Sequence, residues 1–287
     1  MILLIWFLFP FPYLRLRTVL LCAYARDHAT IANSMNLGIS GKVALVTASG
    51  AGLGKAAAHA LAAEGVGLVL FSRTAERLHQ TAAEIREKHH VPVMALAGDM
   101  CSKEDVERLA STLRGNFGGL DILVLNTGRP PHPMREALQE IDDERWQQAY
   151  QTQLWAAVLV LRTIVPLMVD RGWGRVIAIT SASVKQPMPL HTLSTVFRAG
   201  IAAYLKHLAN EVAAKGVTVN SVCPASIVAG VRASSYDVAE RLKSIPVGRL
   251  GNVEELAATI AFLASEHAGF ITGASLSVDG GMVAALC

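Results

Sequence analysis

Three glycines stand close together at the end of an apolar run. Residues 47–54 read Thr-Ala-Ser-Gly-Ala-Gly-Leu-Gly, between a buried-strand pattern at 43–47 and an alanine-rich stretch that predicts a helix over 55–64. Glycine lets a ligand approach the backbone, and the free N–H groups of a helix start attract a phosphate. The segment predicts a phosphate-binding turn, and a glycine-rich loop without a ligand is the alternative. Its expected contacts are Thr47, Ser49, Gly52, Leu53 and Gly54.

A hydroxyl and a guanidinium follow the next apolar run. Residues 67–71 predict a second strand, and Ser72 and Arg73 come about 20 residues after the turn, where a dinucleotide-binding fold contacts the ribose. A carboxylate there would accept a hydrogen bond from the ribose 2′-hydroxyl, whereas a guanidinium binds a 2′-phosphate. The pair predicts NADP(H) in preference to NAD(H). A solvated arginine at a strand end is the alternative.

Strand and helix patterns alternate along the rest of the chain. Further strands are predicted at 92–97, 120–125, 174–180, 217–222 and 275–278, with helices at 74–88, 103–114, 142–171 and 192–215 between them. We expect the long helix to bend near Pro166. Such alternation indicates an α/β fold with a doubly wound parallel sheet of about seven strands between two helix layers, in a single domain over residues 35–287.

Polar residues mark the carboxyl ends of two predicted strands. Asp99 and Met100 follow the third strand, and an aspartate there can accept a hydrogen bond from an adenine amino group. Asn126 and Gly128 follow the fourth strand, at the point where a doubly wound sheet reverses its strand order and binds ligands. We therefore add these four residues to the predicted cofactor contacts.

Composition restricts the class of protein. The 287 residues are 52% hydrophobic and 17% charged, with a net charge of +3. No basic run or aromatic-interleaved basic stripe is present, so we expect no nucleic-acid partner. The cysteines at 22, 101, 223 and 287 lie far apart, and we expect neither a disulfide framework nor a bound metal.

The first 34 residues differ from the rest of the chain. They are apolar but interrupted by Pro10, Pro12, Arg15 and Arg17, so no unbroken span reaches the ~18 residues of a membrane helix. A signal peptide is one alternative, with a cleavage site at residues 23–25. We favour a start of translation at Met35 or a poorly ordered extension, and we expect a cytoplasmic protein without membrane attachment.

With these landmarks in order, residues 41–283 resemble the short-chain dehydrogenase/reductase family, especially its beta-ketoacyl carrier-protein reductase-like members. The resemblance rests on the turn at 47–54, Asp99, Leu-Asn-Thr-Gly at 125–128, and the tail motifs at 245–249, 271–273 and 278–281. It implies a Rossmann-type subunit, a nicotinamide cofactor and commonly a homotetramer built through the long helices and the C-terminal strand.

Several family positions carry other residues. The first glycine of the turn is Ala48, and we expect that position to adopt negative φ. The Asn that holds a proton-relay water is Gln153, and a Thr that contacts the cofactor is Ala229. Pro224 and Ile227 keep their places beside the expected carboxamide of the nicotinamide.

The catalytic positions depart further. Ser181 matches the family's serine, but the Tyr and Lys that follow are Ser194 and Arg198. The four-residue spacing still puts both side chains on one helix face. A serine hydroxyl is too weak an acid to replace tyrosine, and arginine does not exchange its proton near neutrality. Arg198 can still grip ribose hydroxyls. His191, if it lies within the helix, and Lys185 are candidate proton donors; the alternatives are a surface histidine and a solvated lysine.

These residues support two main hypotheses. The first is an NAD(P)(H)-dependent oxidoreductase, similar to 3-oxoacyl carrier-protein reductases, that interconverts a carbonyl and an alcohol on a small-molecule carbonyl or acyl thioester substrate. It would use an atypical proton donor. The second is a catalytically silent relative that binds NADP(H) as a sensor or partner subunit. A scaffold that binds no nucleotide is the third and weakest hypothesis.

Overall fold

The computed structural model describes residues 35–228 and 238–286. The expected N-terminal extension and Ala229 lie outside these residues. The strands are β1 (Val43–Thr47), β2 (Gly67–Ser72), β3 (Val93–Ala97), β4 (Ile122–Leu125), β5 (Gly174–Ile179), β6 (Val217–Pro224), β7 (Ile227–Val228), β8 (Gly251–Asn252) and β9 (Ser275–Val278).

The α-helices lie between these strands. They are α1 (Gly52–Ala63), α2 (Ala75–His89), α3 (Lys103–Phe117), α4 (Asp143–Ala149), α5 (Ala156–Val169), α6 (Thr192–Val212), α7 (Val238–Lys243) and α8 (Val253–Ala264). Ser102 caps α3, because its side chain accepts a hydrogen bond from the Asp105 N–H at 3.1 Å. Helix α1 begins at Gly52, three residues before its predicted start, since the turn glycines already form its first residues.

Seven of the strands form one parallel sheet in the order β3-β2-β1-β4-β5-β6-β9, and β7 pairs with β8 separately. The predicted doubly wound α/β fold is therefore confirmed. The direction of strand addition reverses between β1 and β4, where Val46 is the register partner of Val124. Ligands of such sheets bind at the carboxyl ends of the strands on either side of this reversal.

Side chains of β1 alternate between two apolar cores. Ala44 and Val46 pack on one face with the buried residues of α1, α2 and α8, whereas Leu45 packs on the other with those of α3, α5 and α6. This alternation follows from the two-residue period of a strand. Since helices cover both faces, β1 is apolar at nearly every position.

The long helical stretch after β4 is interrupted earlier than the sequence predicts. A π-helical turn, Tyr150–Trp155, joins α4 to α5, and α5 then continues through Pro166. By length and composition Asp143–Val169 could cross a membrane, but 56% of its apolar window is buried in the fold, as in the core helix of a globular protein. Its apolar surface is thus largely accounted for by packing inside the domain.

Candidate functional site

The turn between β1 and α1 brings the backbone of three segments together. Gly52 has φ +60°, and a Cβ atom added to Gly54 would lie 2.6 Å from the Ala48 carbonyl oxygen and 3.1 Å from Asn126 Nδ2. Only glycine fits at position 54, because no real Cβ approaches a carbonyl oxygen so closely. The start of α1 has no side-chain cap, which leaves its first N–H groups without a side-chain acceptor.

Ala48 corrects one expectation from the sequence. Its φ is +47°, so the prediction of negative φ at this position was wrong. The backbone keeps the left-handed conformation that a glycine would adopt more readily, at a cost of roughly 1–2 kcal/mol for a residue with a Cβ atom. The shape of the turn is therefore maintained despite the substitution.

The Thr47 side chain bonds to backbone groups inside the turn and does not face solvent. Its hydroxyl donates to the Asn126 carbonyl oxygen at 2.8 Å and accepts from the Asn126 N–H at 2.9 Å, and its side chain is fully buried. These bonds join the ends of β1 and β4 across the strand-order reversal. They fix Asn126 beside Gly54.

A cleft of about 210 Å³ opens at the carboxyl ends of β1, β2 and β3. Of the predicted contacts it brings together Ser72, Arg73, Asp99, Met100 and Gly128. Residues that the sequence reading missed also line it, namely Ala48, Gly50, Ala51, Thr74, Arg77, Gly98, Cys101, Thr152 and Ala156. Arg77 had a detectable signal, because it comes four residues after Arg73 at the start of a helix.

The β2 end of this cleft is basic and contains an unpaired hydroxyl. Ser72 Oγ is buried and has no hydrogen-bond partner among the described residues. Neither Arg73 nor Arg77 forms an ion pair with any of these residues. A Cβ atom added to Gly50 would lie 3.3 Å from Ser72 Oγ and 3.4 Å from Arg77 Cβ. The glycine thus lets these groups converge, and the donors around them suit an anion.

Asp99 is held in a fixed orientation at the other end of the cleft. Its Oδ1 accepts a hydrogen bond from the Cys101 N–H at 2.9 Å, and its own N–H donates to Asp105 Oδ2 at 2.8 Å. Burial, followed by the Asp99 charge, raises the pKa of the Cys101 thiol to about 11. Cys101 is therefore a neutral wall of the cleft at pH 7.

Ser181 follows β5 with its hydroxyl oriented by a neighbour. Its Oγ accepts from the Ser183 N–H at 3.2 Å and from the Ser183 hydroxyl at 2.9 Å. Because both bonds use oxygen lone pairs, the proton of the Ser181 hydroxyl is left to donate. Such a group can polarise a carbonyl oxygen.

Arg198 is buried in α6, with 8% of its surface exposed. Its Nη1 donates to the carbonyl oxygens of Ile179 at 3.0 Å and Thr180 at 3.3 Å, and its Nη2 to that of Gly128 at 3.2 Å. Desolvation, and then the charge of Arg129, lowers the pKa of this guanidinium to about 10, so it stays charged at neutral pH. Arg198 therefore connects the ends of β4 and β5.

Gln153 lies in the π-helical turn with none of its surface exposed. Neither its amide nitrogen nor its amide oxygen has a hydrogen-bond partner among the described residues. A buried polar group left in this state costs about 1–3 kcal/mol, so it calls for a water molecule or a ligand. Ser49 Oγ and Thr127 Oγ1, on the segments that Thr47 joins, are buried and unpartnered as well.

His191 precedes α6 instead of lying within it, so the expected helical spacing to Ser194 does not apply. Its Nδ1 lies 2.7 Å from the Pro189 carbonyl oxygen, which makes Nδ1 the protonated nitrogen and leaves Nε2 free. Desolvation is the largest of the causes that lower the pKa of this imidazole below its ordinary 6.5. His191 is thus mainly neutral at pH 7.

Ser194 lies on a second, narrow cleft and is 6% exposed. Apolar side chains dominate its lining, which consists of Pro130, Pro131, Met134, Glu140, Leu190, Leu193 and Ser194. The Glu140 carboxylate is engaged in a buried, bidentate pair with Arg145, at 2.8 and 2.7 Å. Arg145 also donates to the Pro133 carbonyl oxygen at 2.7 Å, which fixes the loop that forms one wall.

The remaining predicted contacts lie around these clefts. Pro224 ends β6, and Ile227 lies in β7. Leu53 lies in α1 and packs against the core, and Lys185 ends a short 3₁₀ turn after Ser181. Arg241, in α7, donates from Nε to Ser226 Oγ at 2.9 Å. None of these residues lines either cleft of the described structure.

A doubly wound sheet with a polar cleft at its reversal point defines a nucleotide-binding type of α/β protein. The family model described as enoyl-(acyl carrier protein) reductase matches residues 47–283. The 3-oxoacyl-(acyl-carrier-protein) reductase of Haemophilus influenzae is 33% identical over 246 residues, covering 85% of this chain and 99% of the relative. That of Escherichia coli is 34% identical over 248 residues, covering 86% and 99%.

A solved structure agrees with the sequence relatives. L-sorbose reductase from Gluconobacter frateurii, complexed with NADPH and L-sorbose, is similar with a TM-score of 0.80 and 35% identity, covering 88% of this chain and all (100%) of that chain. The chain belongs to the short-chain dehydrogenase/reductase family of oxidoreductases.

Proposed function

We propose that the protein binds NADP(H) in the cleft at the ends of β1, β2 and β3, and that it interconverts a carbonyl and an alcohol. The observation that carries the cofactor proposal is the buried hydroxyl of Ser72, which has no hydrogen-bond partner among the described residues and shares its cleft with Arg73 and Arg77. A 2′-phosphate would accept from Ser72, Arg73 and Arg77 together. The NADPH in the L-sorbose reductase structure supports the same cofactor here.

The other parts of the cofactor have matching contacts. The uncapped start of α1 and the close approach allowed at Gly54 suit a pyrophosphate. The second carboxylate oxygen of Asp99 and the backbone of Met100 suit an adenine. Asn126 and Gly128 border the space expected for the nicotinamide ribose. These residues lie at the carboxyl ends of β3, β2, β1 and β4, which are neighbours in the sheet.

Bound NADPH would supply the hydride of the reaction. Ser181 would donate a hydrogen bond from its hydroxyl to the substrate carbonyl oxygen and so polarise it, as the two hydrogen bonds from Ser183 favour. Gln153 would hold a water molecule with its amide nitrogen and amide oxygen, neither of which has a partner among the described residues. Arg198 would hold the carboxyl ends of β4 and β5 in place through its hydrogen bonds to their carbonyl oxygens. Fewer of its N–H groups would then be available for ribose hydroxyls than the sequence suggests.

The proposed reaction also needs a group that supplies the proton. Ser194 is too weak an acid, and we assign the role to His191 Nε2 or to the water held by Gln153. Because its pKa is lowered, His191 is a better proton acceptor than donor at pH 7. Alcohol oxidation would therefore use the neutral imidazole directly, whereas carbonyl reduction would require its protonated form.

The second hypothesis, a silent NADP(H)-binding relative, is supported by the same positions. Arg198 is engaged with three backbone carbonyls, and no tyrosine stands at position 194. In that case the cofactor contacts would serve sensing or an assembly. The two hypotheses share the cofactor site and differ only in turnover.

We also propose a homo-oligomer, a small-molecule carbonyl or acyl thioester substrate and a cytoplasmic location. β9 is an edge strand of the sheet, and Leu276 in β9 and Phe270 shortly before it are exposed, which supports burial against another subunit. The 3-oxoacyl-(acyl-carrier-protein) reductase relatives support the substrate class. The free thiols Cys101 and Cys223 suit a reducing compartment.

Binding and turnover are tested separately. NADPH fluorescence is titrated against the wild-type protein, a Gly54→Ala variant and a Gly115→Ala control, since a Cβ atom at Gly115 meets nothing within 4 Å. We expect binding to be lost only in Gly54→Ala. NADPH consumption is then followed with ketones, quinones and acyl thioesters. Binding without turnover on any of them favours the silent relative, and a wild-type protein that does not bind NADPH at saturation contradicts both hypotheses.

A further inference from the structure

Leu190 adopts a backbone conformation that a residue of its type rarely takes. Its φ is +64°, in the left-handed region that favours glycine, and its side chain is 42% exposed. This conformation is strained for a residue with a Cβ atom, so it persists only where neighbouring groups hold it. Leu190 directly precedes His191 and lines the second cleft together with Ser194. The direction in which the chain enters His191 therefore depends on the groups that hold Leu190.

Glu136, on the loop after β4, supplies one of these groups. The Leu190 N–H donates to Glu136 Oε1 at 3.3 Å, across 54 residues of sequence. Two residues further on, the Thr192 hydroxyl donates to the Arg135 carbonyl oxygen at 3.4 Å. Residues 135 and 136 are thus bonded to the chain on either side of His191.

The backbone and the ring of His191 are bonded within the same segment. Its N–H donates to the Met188 carbonyl oxygen at 3.2 Å, and its own carbonyl oxygen accepts from the Thr195 N–H at 2.7 Å. Nδ1 lies 2.7 Å from the Pro189 carbonyl oxygen, which leaves Nε2 to exchange a proton with a substrate. Because the ring is bonded to residue 189, the direction of Nε2 follows the backbone at Leu190.

We propose that Glu136 is a positioning residue for His191: its carboxylate holds Leu190 in the left-handed conformation and so fixes the direction of His191 Nε2. An ionised carboxylate suits this task, because it accepts a stronger hydrogen bond from an N–H group than a neutral oxygen does. The role deepens the proposed function and rests on it, since His191 is a proton donor only in a protein that turns over a carbonyl substrate.

The charge of Glu136 has a second effect on the imidazole. Burial is the main cause that lowers the pKa of His191; the hydrogen bond to Pro189 raises it, the charge of Arg241 in α7 lowers it, and the charge of Glu136 raises it. Among the described residues, Arg241 and Glu136 are the two charged groups that act on this ring, and their signs are opposite. A neutral residue at position 136 would leave Arg241 unopposed, so His191 would be protonated only at a lower pH.

Glu136 also begins the short 3₁₀ turn Ala137–Gln139. Its N–H donates to the Gln139 side chain at 3.3 Å, and its carboxylate completes a reciprocal capping box. Loss of this cap alone would destabilise an exposed turn and would leave the charge that acts on His191 unaltered. The titration of His191 therefore distinguishes the positioning role from a purely structural one.

The first test is an NMR titration of the full-length protein without nucleotide, at low ionic strength because salt screens exposed charges. The signal of His191 among the nine histidines is the one that His191→Gln lacks. We expect the pKa of His191 to fall in Glu136→Gln and to stay at its wild-type value in the matched control Glu87→Gln, an exposed glutamate of α2. An unchanged pKa in Glu136→Gln overturns the proposal.

Hydrogen exchange of the Leu190 N–H tests the bond itself and does not depend on activity. A glutamine keeps a side-chain oxygen that can accept from this N–H, whereas an alanine does not. We expect exchange to be faster in Glu136→Ala than in wild type and to be largely restored in Glu136→Gln. Equal exchange in Glu136→Ala and wild type shows that Glu136 does not hold Leu190.

Turnover of a carbonyl substrate with NADPH is the third measurement. We expect Glu136→Ala to lower kcat by about tenfold, a part of the 10²–10⁴-fold that a positioned general acid supplies, and Glu136→Gln to recover most of it with a profile shifted to lower pH. The KM for NADPH should stay unchanged, since Glu136 does not line the cofactor cleft. A kcat of Glu136→Ala equal to that of wild type contradicts the positioning role. A wild type without turnover contradicts the proposed function instead, and the two NMR measurements then decide whether Glu136 holds Leu190 and acts on His191.

Discussion

Arg198 Nη2 donates a hydrogen bond to the carbonyl oxygen of Gly128 at 3.2 Å, across 70 residues of sequence. The same guanidinium reaches the ends of β5 through Nη1. A lysine has one ammonium group on a flexible stem, whereas the planar guanidinium can satisfy several carbonyls in fixed directions. The residue at this position therefore supports the backbone on both sides of the strand ends where the reaction is proposed to occur.

We predict that Arg198→Met lowers the free energy of unfolding by about 2–4 kcal/mol, because it leaves three carbonyl oxygens without their donor. Arg198→Lys should cost less, since an ammonium can restore part of these bonds. Urea denaturation measures both, with Arg114→Met on the exposed side of α3 as the control. An Arg198→Met protein as stable as wild type contradicts the bridging role.

Removal of Arg77 should weaken NADPH binding by about tenfold, as expected for the loss of one partly solvated charge-assisted bond to phosphate. NADH, which has no 2′-phosphate, should be unaffected. Fluorescence titration of Arg77→Ala with both cofactors gives the comparison, and Arg114→Ala is the matched control. An equal loss for NADPH and NADH would mean that Arg77 does not contact this phosphate.

His191 should make the two reaction directions respond oppositely to pH. Its pKa is lowered below 6.5, so carbonyl reduction should speed up as the pH falls through this lowered value, while alcohol oxidation slows. Initial rates between about pH 5 and 8 measure both directions. In His191→Gln both profiles should flatten. A reduction profile that is unchanged in the variant excludes His191 as the donor and leaves the water at Gln153.

Ala48→Gly should stabilise the protein by about 1 kcal/mol, because φ at this position is +47° and glycine adopts that conformation without the steric cost of a Cβ atom. Ala57→Gly in the buried interior of α1 is the opposite control and should destabilise it by about 1 kcal/mol or more. Thermal unfolding of the two variants side by side measures the difference. Equal losses of stability would contradict the left-handed turn.

The buried pair of Glu140 and Arg145 should make stability depend on acid. Hydrogen bonds from Arg145 lower the pKa of Glu140 below 4.5, so the pair stabilises the folded protein above that value and loses this effect as the pH falls through the lowered pKa. Glu140→Gln should remove this part of the acid dependence and cost about 3 kcal/mol at pH 7, since it leaves a buried guanidinium uncompensated. Denaturation midpoints from pH 7 down to 3 provide the measurement.

The local pattern of apolar and polar residues was sufficient to predict the fold and several of the residues that line the cleft. The apolar runs and their helical partners predicted the parallel sheet, because a strand buried on both faces and an amphipathic helix each have a distinct residue period. Ser72, Arg73, Asp99 and Met100 could be named in advance, since each lies at or shortly after the end of a strand and the carboxyl ends of parallel strands share one edge.

The direction of each polar group was decided by the tertiary structure. The Thr47 hydroxyl points inward and bonds to Asn126, and Ala48 adopts a positive φ. The guanidinium of Arg198 donates its hydrogen bonds to backbone carbonyl oxygens. Gln153 lies in a π-helical turn, which the spacing of apolar residues in the sequence does not predict. The sequence alone thus determines which elements form and where their ends meet, through local periodicity. Only packing in three dimensions decides which donors bond to neighbouring carbonyl oxygens and which, like the Ser72 hydroxyl, remain for a ligand.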